Sequence, residues 1–216
     1  MLISGGKSVF DAVLFDLDGT LIDTERLAMA ATISAFAEMG FQVSPDFLHD
    51  LVGKDLPTGE RLIAARYPQL NLKDLDRRVA FAMNQELLLG MPLKPGVQEL
   101  LALITRPKAI VTSSSRKGAV RKVAQAGLTA DFLHIITLDD VTHAKPAPEP
   151  YLLAAKLLGI APARCLVFED SEVGAEAAYT AGMRVVQVPD IVPSKGRFAH
   201  YLADDLISGA RLAGLI

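Results

Sequence analysis

Cysteine is nearly absent from this chain, since Cys165 is the one cysteine among 216 residues. No disulfide can form within the chain, which fits a reducing compartment, and a buried structural thiol is the expected role of Cys165. Apolar runs are also short. No stretch reaches the roughly 20 residues that a membrane span requires, and Met1 to Lys7 lack the apolar core of a signal peptide. These absences predict a soluble, cytoplasmic protein with no membrane partner.

An excess of positive charge is missing as well. The formal net charge is -3, and the lysines and arginines are scattered along the chain rather than clustered. A nucleic-acid partner is therefore not expected. The four histidines, His49, His134, His143 and His200, lack the spacing of metal ligands. Half of the residues are apolar, and no low-complexity tract interrupts the sequence, so the chain is expected to fold.

Short apolar runs rich in Val, Ile, Leu and Phe are the main structural signal. Each is followed by a turn and a helical pattern, which predicts the α/β class with a parallel sheet and crossover helices. Their continuous apolar character is typical of strands covered on both faces. The last stretch, from Asp190 onward, predicts one more short strand and a terminal helix. The runs span residues 12–18, 109–114, 135–139, 165–170 and 184–189.

The segment between the first and second runs is too long for a crossover helix. About ninety residues intervene, with helical periodicity near 25–39, 57–66 and 72–89. This pattern predicts an inserted helical domain positioned over the end of the first strand. The predicted division is a core of residues 1–21 and 94–216 and an inserted domain of residues 22–93.

Polar residues close three of the apolar runs and follow a fourth. Ligands of an open parallel sheet bind outside the carboxyl ends of its strands, so these residues are the candidates for a site. Several carboxylates at one edge repel one another unless a cation lies among them, and hard oxygen ligands favour Mg²⁺. The residues are Asp16-Leu17-Asp18-Gly19-Thr20, Thr112-Ser113-Ser114-Ser115, Ala144-Lys145-Pro146 and Glu169-Asp170-Ser171.

The same residues suit the transfer of a phosphoryl group. Lys145 supplies a positive charge, and the hydroxyl and N–H groups of Ser113 and Ser114 supply donors for non-bridging oxygens. Asp16 and Asp18, two positions apart at a strand end, point the same way. We interpret Asp16 as the nucleophile that forms an aspartyl phosphate. Asp18 is interpreted as the acid that protonates the leaving oxygen and then as the base that activates water.

Taken in order, these motifs are similar to those of the haloacid dehalogenase superfamily. The resemblance covers the whole core at family-like spacing and rests on Asp16-Leu17-Asp18-Gly19-Thr20, Ser113, Lys145-Pro146 and Glu169-Asp170. It implies a Rossmann-like core with an α-helical cap domain inserted after the first motif.

The resemblance also implies a set of ligands. The magnesium ion is expected on Asp16, the backbone carbonyl of Asp18, Asp170 and, directly or through water, Glu169. The phosphoryl group is expected on Ser113, the backbone of Ser114, and Lys145.

Within the superfamily, Asp18 argues against the dehalogenases and the phosphonate-cleaving members, which lack this second acid. The nearest rival is a β-phosphoglucomutase-like mutase. A histidine and an arginine in the cap of that enzyme are matched here by Ala28 and Leu56, which favours hydrolysis. A phosphometabolite-binding module without turnover stays open as a different class, and it predicts a damaged motif, which the sequence does not contain.

The substrate depends on the cap in this superfamily. Lys54, in a predicted loop of the inserted domain, has two interpretations of equal weight: it binds a distal carboxylate or hydroxyl, or it is a solvated surface lysine. The resemblance implies a small phosphorylated metabolite, either a sugar phosphate or a phosphorylated sugar acid. Monomer and homodimer are both open.

Overall fold

A computed structural model describes residues 9–51, 56–88 and 90–216. The chain divides into two compact units. The first, called the sheet unit here, ends at Ile22 and resumes from Leu93 to Ile216, and the second, called the helical unit, is Asp23–Pro92.

Parallel strands form a single sheet in the sheet unit. The strand order is β3-β2-β1-β4-β5-β6, so β1 lies in the middle of the sheet. The predicted α/β class with a Rossmann-like parallel sheet is confirmed. The strands are β1 Ala12–Phe15, β2 Lys108–Val111, β3 His134–Ile136, β4 Cys165–Glu169, β5 Arg184–Gln187 and β6 Tyr201–Leu202.

The strands end earlier than the apolar runs suggest. All four residues of β1 are buried, and strand pairing stops at Phe15, which is opposite Ile110 on one side and Phe168 on the other. The run 12–18 continues to Asp18 in the sequence, but Asp16 and Asp18 lie beyond the strand. A carboxylate is costly inside the apolar layers, so the chain leaves the sheet where the acidic residues begin.

Helices cover the sheet, and several have clear end signals. Ser115 begins α6 because its hydroxyl accepts a hydrogen bond from the Gly118 N–H. Gly159 ends α7 in the left-handed conformation. One helix of this unit, α5, is short and is not predicted. Helix α8 follows the fourth apolar run, as predicted, although it buries small residues rather than a stripe of large apolar ones. The helices of the sheet unit are α5 Val97–Leu103, α6 Arg116–Gln125, α7 Glu149–Leu158, α8 Glu172–Thr180 and α9 Leu206–Leu212.

The helical unit has its own small core. Ala35, Phe36, Leu70 and Leu75 are buried together, and the Phe36 ring meets the Tyr67 ring edge-on at 5.0 Å between centroids. None of the helices in the described parts of the chain combines the length and apolar character needed to cross a bilayer. The helices of this unit are α1 Thr24–Glu38, α2 Pro45–His49, α3 Leu56–Arg66 and α4 Leu72–Leu88.

The chain leaves the sheet unit and returns to it at neighbouring positions. Within the sheet unit, Ile22 and Leu93 form an antiparallel bridge, and the Lys94 N–H donates to the Leu21 carbonyl at 3.0 Å. Within the helical unit, the Asp23 N–H donates to the Pro92 carbonyl at 2.9 Å. The two chain segments that enter and leave the insertion are therefore hydrogen-bonded to each other, and this pair of segments is called the paired crossing here.

Candidate active site

Polar side chains meet at the carboxyl ends of β1, β2 and β4. The chain runs from β1 outward through β2 to β3, and then returns to place β4 on the other side of β1. This reversal is the point of an open parallel sheet where ligands bind. Asp16 follows β1, Thr112 follows β2, and Asp170 follows β4. A cavity of about 380 Å³ lies there, and its wall includes Asp16, Asp18, Ser113, Ser114, Lys145 and Asp170.

Lys145 is buried between two carboxylates. Its ammonium group donates to Asp16 Oδ1 at 2.7 Å, to Glu169 Oε1 at 2.6 Å and to the Val111 carbonyl at 2.8 Å. The side chain is only 4% exposed. Burial lowers the pKa of Lys145, but the charges of Asp16 and Glu169 outweigh that effect and raise it above the ordinary value. Lys145 is therefore a fixed cation at the base of the cavity.

Glu169 is turned toward Lys145 and held there. Besides Lys145, its Oε1 accepts from the Tyr151 hydroxyl at 2.8 Å, and its Oε2 accepts from the Ser171 hydroxyl at 3.0 Å. A Cβ added at Gly174 would lie 1.7 Å from Oε1, so only glycine leaves room for the carboxylate. Burial and the Glu169 charge raise the pKa of Tyr151 well above its usual value, which keeps it a donor.

The carboxyl groups of Asp16 and Asp170 both have raised pKa values. Burial, reinforced by the charges of Glu169 and Asp170, raises the pKa of Asp16 despite the opposing charge of Lys145. Burial and the charge of Glu169, with a smaller contribution from Asp190, raise the pKa of Asp170 to about 7. Burial is the larger cause of both pKa shifts, and the carboxylates crowded at one edge, which the sequence analysis expects, add to it. A cation placed among them would lower both pKa values.

The carboxylates fit a divalent metal ion. Among the described residues, Asp16, Glu169 and Asp170 can each offer one oxygen to a common point, with all three oxygens within 4.8 Å of one another. Such a hard oxygen set suits Mg²⁺. Both Glu169 oxygens already accept hydrogen bonds, which favours an indirect role for Glu169. Asp16 and Asp170 are the carboxylates that could bind the ion directly.

Gly19 allows carboxylates to approach the loop after β1. Its φ is +84°, and a Cβ there would lie 2.5 Å from Asp170 Oδ2 and 3.4 Å from Asp190 Oδ2. Lys94 donates to Asp190 Oδ1 at 2.5 Å, whereas the buried Asp190 Oδ2 has no hydrogen-bond partner among the described residues. A buried carboxylate oxygen left in this state fits a site that receives a cation with its bound water. Thr20 also contacts Asp170, through a 3.4 Å hydrogen bond to Oδ1.

Asp18 lines the same cavity, and a residue that the sequence analysis misses contacts it. Lys122, in α6, places its ammonium group 2.7 Å from Asp18 Oδ1 and 2.9 Å from Oδ2. The Ser114 hydroxyl donates to Asp18 Oδ2 at 2.9 Å. The sequence predicts that the Ser114 N–H binds substrate, but this group donates to Thr112 Oγ1 at 3.1 Å. Ser113 lines the cavity and is exposed.

Other predicted positions fall elsewhere. Lys54 lies outside the described residues, so its predicted contact with substrate stays a prediction. Ala28 lines a separate cavity of about 410 Å³ within the helical unit, whose wall is largely apolar and includes Leu48, Ile63 and Met83. The acidic cluster found in the described residues belongs to the sheet unit, which is where the chemistry is assigned.

Known proteins share both this sequence pattern and this fold. Residues 13–188 match the family model described as haloacid dehalogenase-like hydrolase. The chain is 34% identical over 187 residues to the fructose-1-phosphate phosphatase YqaB of Escherichia coli (strain K12), covering 83% of this chain and 96% of the relative. It is 31% identical over 179 residues to a phosphorylated carbohydrates phosphatase of Thermotoga maritima, covering 80% and 82%.

A solved structure of a hydrolase has a similar fold over almost the whole of this chain. The structure of a HAD family hydrolase from Deinococcus radiodurans R1, with bound phosphate and sodium, has a TM-score of 0.79 and 28% sequence identity, covering 97% of this chain and 99% of that one. The fold and the site define a hydrolase with a parallel α/β core and an acidic edge. The chain belongs to the haloacid dehalogenase-like hydrolase family. Its named relatives are phosphatases, which supports a phosphoric monoester hydrolase.

Proposed function

We propose that this protein hydrolyses a small phosphate monoester, either a sugar phosphate or a phosphorylated sugar acid, with Mg²⁺ as cofactor. The observation that carries the proposal is the buried Asp16 beside Lys145, with Asp18 lining the same cavity. The two phosphatase relatives, whose names specify fructose 1-phosphate and phosphorylated carbohydrates, support this substrate class.

In the proposed reaction, the Asp16 carboxylate attacks phosphorus, and the bond between phosphorus and the leaving oxygen breaks as Asp18 gives that oxygen a proton. A water molecule then attacks the aspartyl phosphate while Asp18 takes its proton, which releases inorganic phosphate and restores Asp16. Lys145 and Ser113 bind the non-bridging oxygens. Bound Mg²⁺, on Asp16, Asp170 and the Asp18 carbonyl with Glu169 behind them, would supply further charge neutralisation.

The direct test is phosphate release from a panel of sugar phosphates, sugar acid phosphates and nucleotides, with Mg²⁺ and with a chelator. We expect Mg²⁺-dependent release from a few related compounds. If no compound of the panel releases phosphate, and a hexose 1-phosphate is isomerised when a bisphosphate primer is added, the protein catalyses the mutase reaction rather than hydrolysis. Binding of phosphorylated compounds without either reaction would indicate the non-catalytic module.

The proposed metal site predicts a pH dependence of Mg²⁺ binding. Ligands must be ionised to bind, and Asp170 has a pKa raised to about 7, so protons compete with the metal below that pH. For one competing proton, the apparent Kd should rise about tenfold per pH unit below 7 and level off above it. Calorimetric titration of the metal-free protein with Mg²⁺ from pH 5.5 to 8.5 measures this.

Two variants give that titration its controls. Asp170→Asn should remove binding at every pH, whereas Asp204→Asn, at an exposed position, should leave the curve unchanged. A Kd that stays constant between pH 6 and pH 8 would contradict the assignment of Asp170 as a ligand.

A further inference from the structure

The carboxylate of Asp18 accepts hydrogen bonds from Lys122 and Ser114. Lys122 Nζ lies within 2.9 Å of both carboxylate oxygens, and the Ser114 hydroxyl lies 2.9 Å from Oδ2. Lys122 Nζ also donates to Ser114 Oγ at 3.1 Å, so the two residues that hold Asp18 contact each other. Two donors on two oxygens fix both the position of the carboxylate and the plane in which it lies.

Local structure explains why Lys122 can reach this place. Ser115 caps α6, so Ser114 directly precedes the helix. Ala119 and Val123 are the buried residues of α6, and Lys122 lies on the same face as Ala119, three residues after it. Its side chain is only 23% exposed, and its ammonium group lies 2.7 Å from Asp18 Oδ1. Lys117, on the same helix, is exposed.

A contribution to stability alone is a weak explanation for this arrangement. Ion pairs at partly exposed positions contribute little, and ordering a lysine side chain costs conformational entropy. Asp18 is 31% exposed and lines the cavity that contains Asp16. The contacts therefore hold in place the one carboxylate whose orientation matters for proton transfer in the reaction proposed above.

We propose that Lys122, together with the Ser114 hydroxyl, is a positioning residue that orients the Asp18 carboxylate toward the leaving oxygen of the substrate. This inference rests on the proposed function, in which Asp18 protonates that oxygen. Lys122 acts through Asp18 and does not touch the substrate. Loss of Lys122 should therefore affect substrates that need a proton on their leaving group and spare those that do not.

The experiment compares kcat/KM for two substrates in each variant, because this ratio reports the steps up to cleavage of the phosphate ester. The first substrate is the best alkyl phosphate from the panel, and the second is p-nitrophenyl phosphate, whose leaving group departs as a stable anion. The variants are Lys122→Met, Lys122→Arg, Ser114→Ala and Asp18→Asn, with Lys117→Met as the matched control on α6. Thermal unfolding of each variant is recorded in parallel.

For Lys122→Met we expect kcat/KM to fall about 10- to 100-fold with the alkyl phosphate and to stay within about threefold with p-nitrophenyl phosphate. Ser114→Ala should show the same selectivity with a smaller loss, Lys122→Arg should recover part of the alkyl activity, and Lys117→Met should match the wild type. Equal losses with both substrates in Lys122→Met and Ser114→Ala would mean a merely structural role and would overturn the inference, as would an unchanged or faster alkyl reaction.

Asp18→Asn separates the inference from the function on which it rests. If this variant shows the selective loss and Lys122→Met does not, the positioning role is wrong and the proposed acid role of Asp18 stands. If kcat/KM of Asp18→Asn falls equally with both substrates, or falls with neither, the acid role of Asp18 is wrong. The positioning role of Lys122 is then wrong as well. Ser114→Ala keeps the test decisive if Lys122→Met does not fold.

Discussion

Asp16→Asn should reduce phosphate release by at least about 10⁴-fold while the protein stays folded. The amide has the size of the carboxylate but is a poor nucleophile, so no phosphoenzyme should form. Asp16 is buried, and its burial opposes ionisation, so replacing it with a neutral group of the same shape should not cost much stability. Phosphate release and thermal unfolding, measured on the same preparation, check both parts of the prediction.

Trapping gives a second readout for this variant. Acid-quenched wild-type protein, mixed with labelled substrate, should carry phosphate that hydroxylamine removes, as expected for an acyl phosphate. Asp16→Asn should carry none, and Asp204→Asn, at an exposed carboxylate, should behave as the wild type. Turnover or label in Asp16→Asn at the wild-type level would rule out the covalent mechanism.

Lys145→Met should lose both activity and stability. The ammonium group compensates Asp16 and Glu169 in a nearly solvent-free position, and removing one partner of a buried charge network leaves the others uncompensated. We expect the free energy of unfolding to fall by about 3–5 kcal/mol and turnover by at least about 10³-fold. Chemical denaturation and phosphate release measure the two effects.

The stability loss in Lys145→Met should depend on pH in a defined direction. Burial already raises the pKa of Asp16, and the variant lacks the charge that opposes this effect. The folded variant then binds more protons than the unfolded chain, so its stability falls as pH rises. The difference from the wild type should be larger at pH 8 than at pH 5. Lys156→Met, at an exposed lysine of α7, is the control, and an equal deficit at both pH values would contradict the electrostatic explanation.

The place of the site follows from sequence because parallel strands end at one edge of a sheet. Asp16 and Asp170 each lie near the end of an apolar run that contains a strand, so their proximity can be inferred without coordinates. The path of the chain between the strands is harder to predict from the sequence. The bounds of β1 and the presence of α5 depend on packing against the rest of the sheet unit, which a short apolar segment does not specify.

Lys122 shows a different limit. Its contact with Asp18 joins residues 104 positions apart and depends on which face α6 turns toward the loop after β1. A lysine in an otherwise polar helix has the pattern of a solvated residue, and no motif marks it. The direction of Glu169 toward Lys145 and Tyr151 is likewise set by side-chain packing. Contacts of this kind can be identified only once the positions of the helices relative to the sheet are known.

The paired crossing at Ile22 and Leu93 bears on how the chain folds. Strands β1 and β2 are neighbours in the sheet although about ninety residues separate them, and closing so long a loop costs conformational entropy. Residues 23–92 have a compact core of their own, and the ends of this segment are joined by the Asp23–Pro92 hydrogen bond. Once that segment has formed, β1 and β2 behave as strands joined by a short connection. The insertion then adds little to the topological difficulty of assembling the sheet.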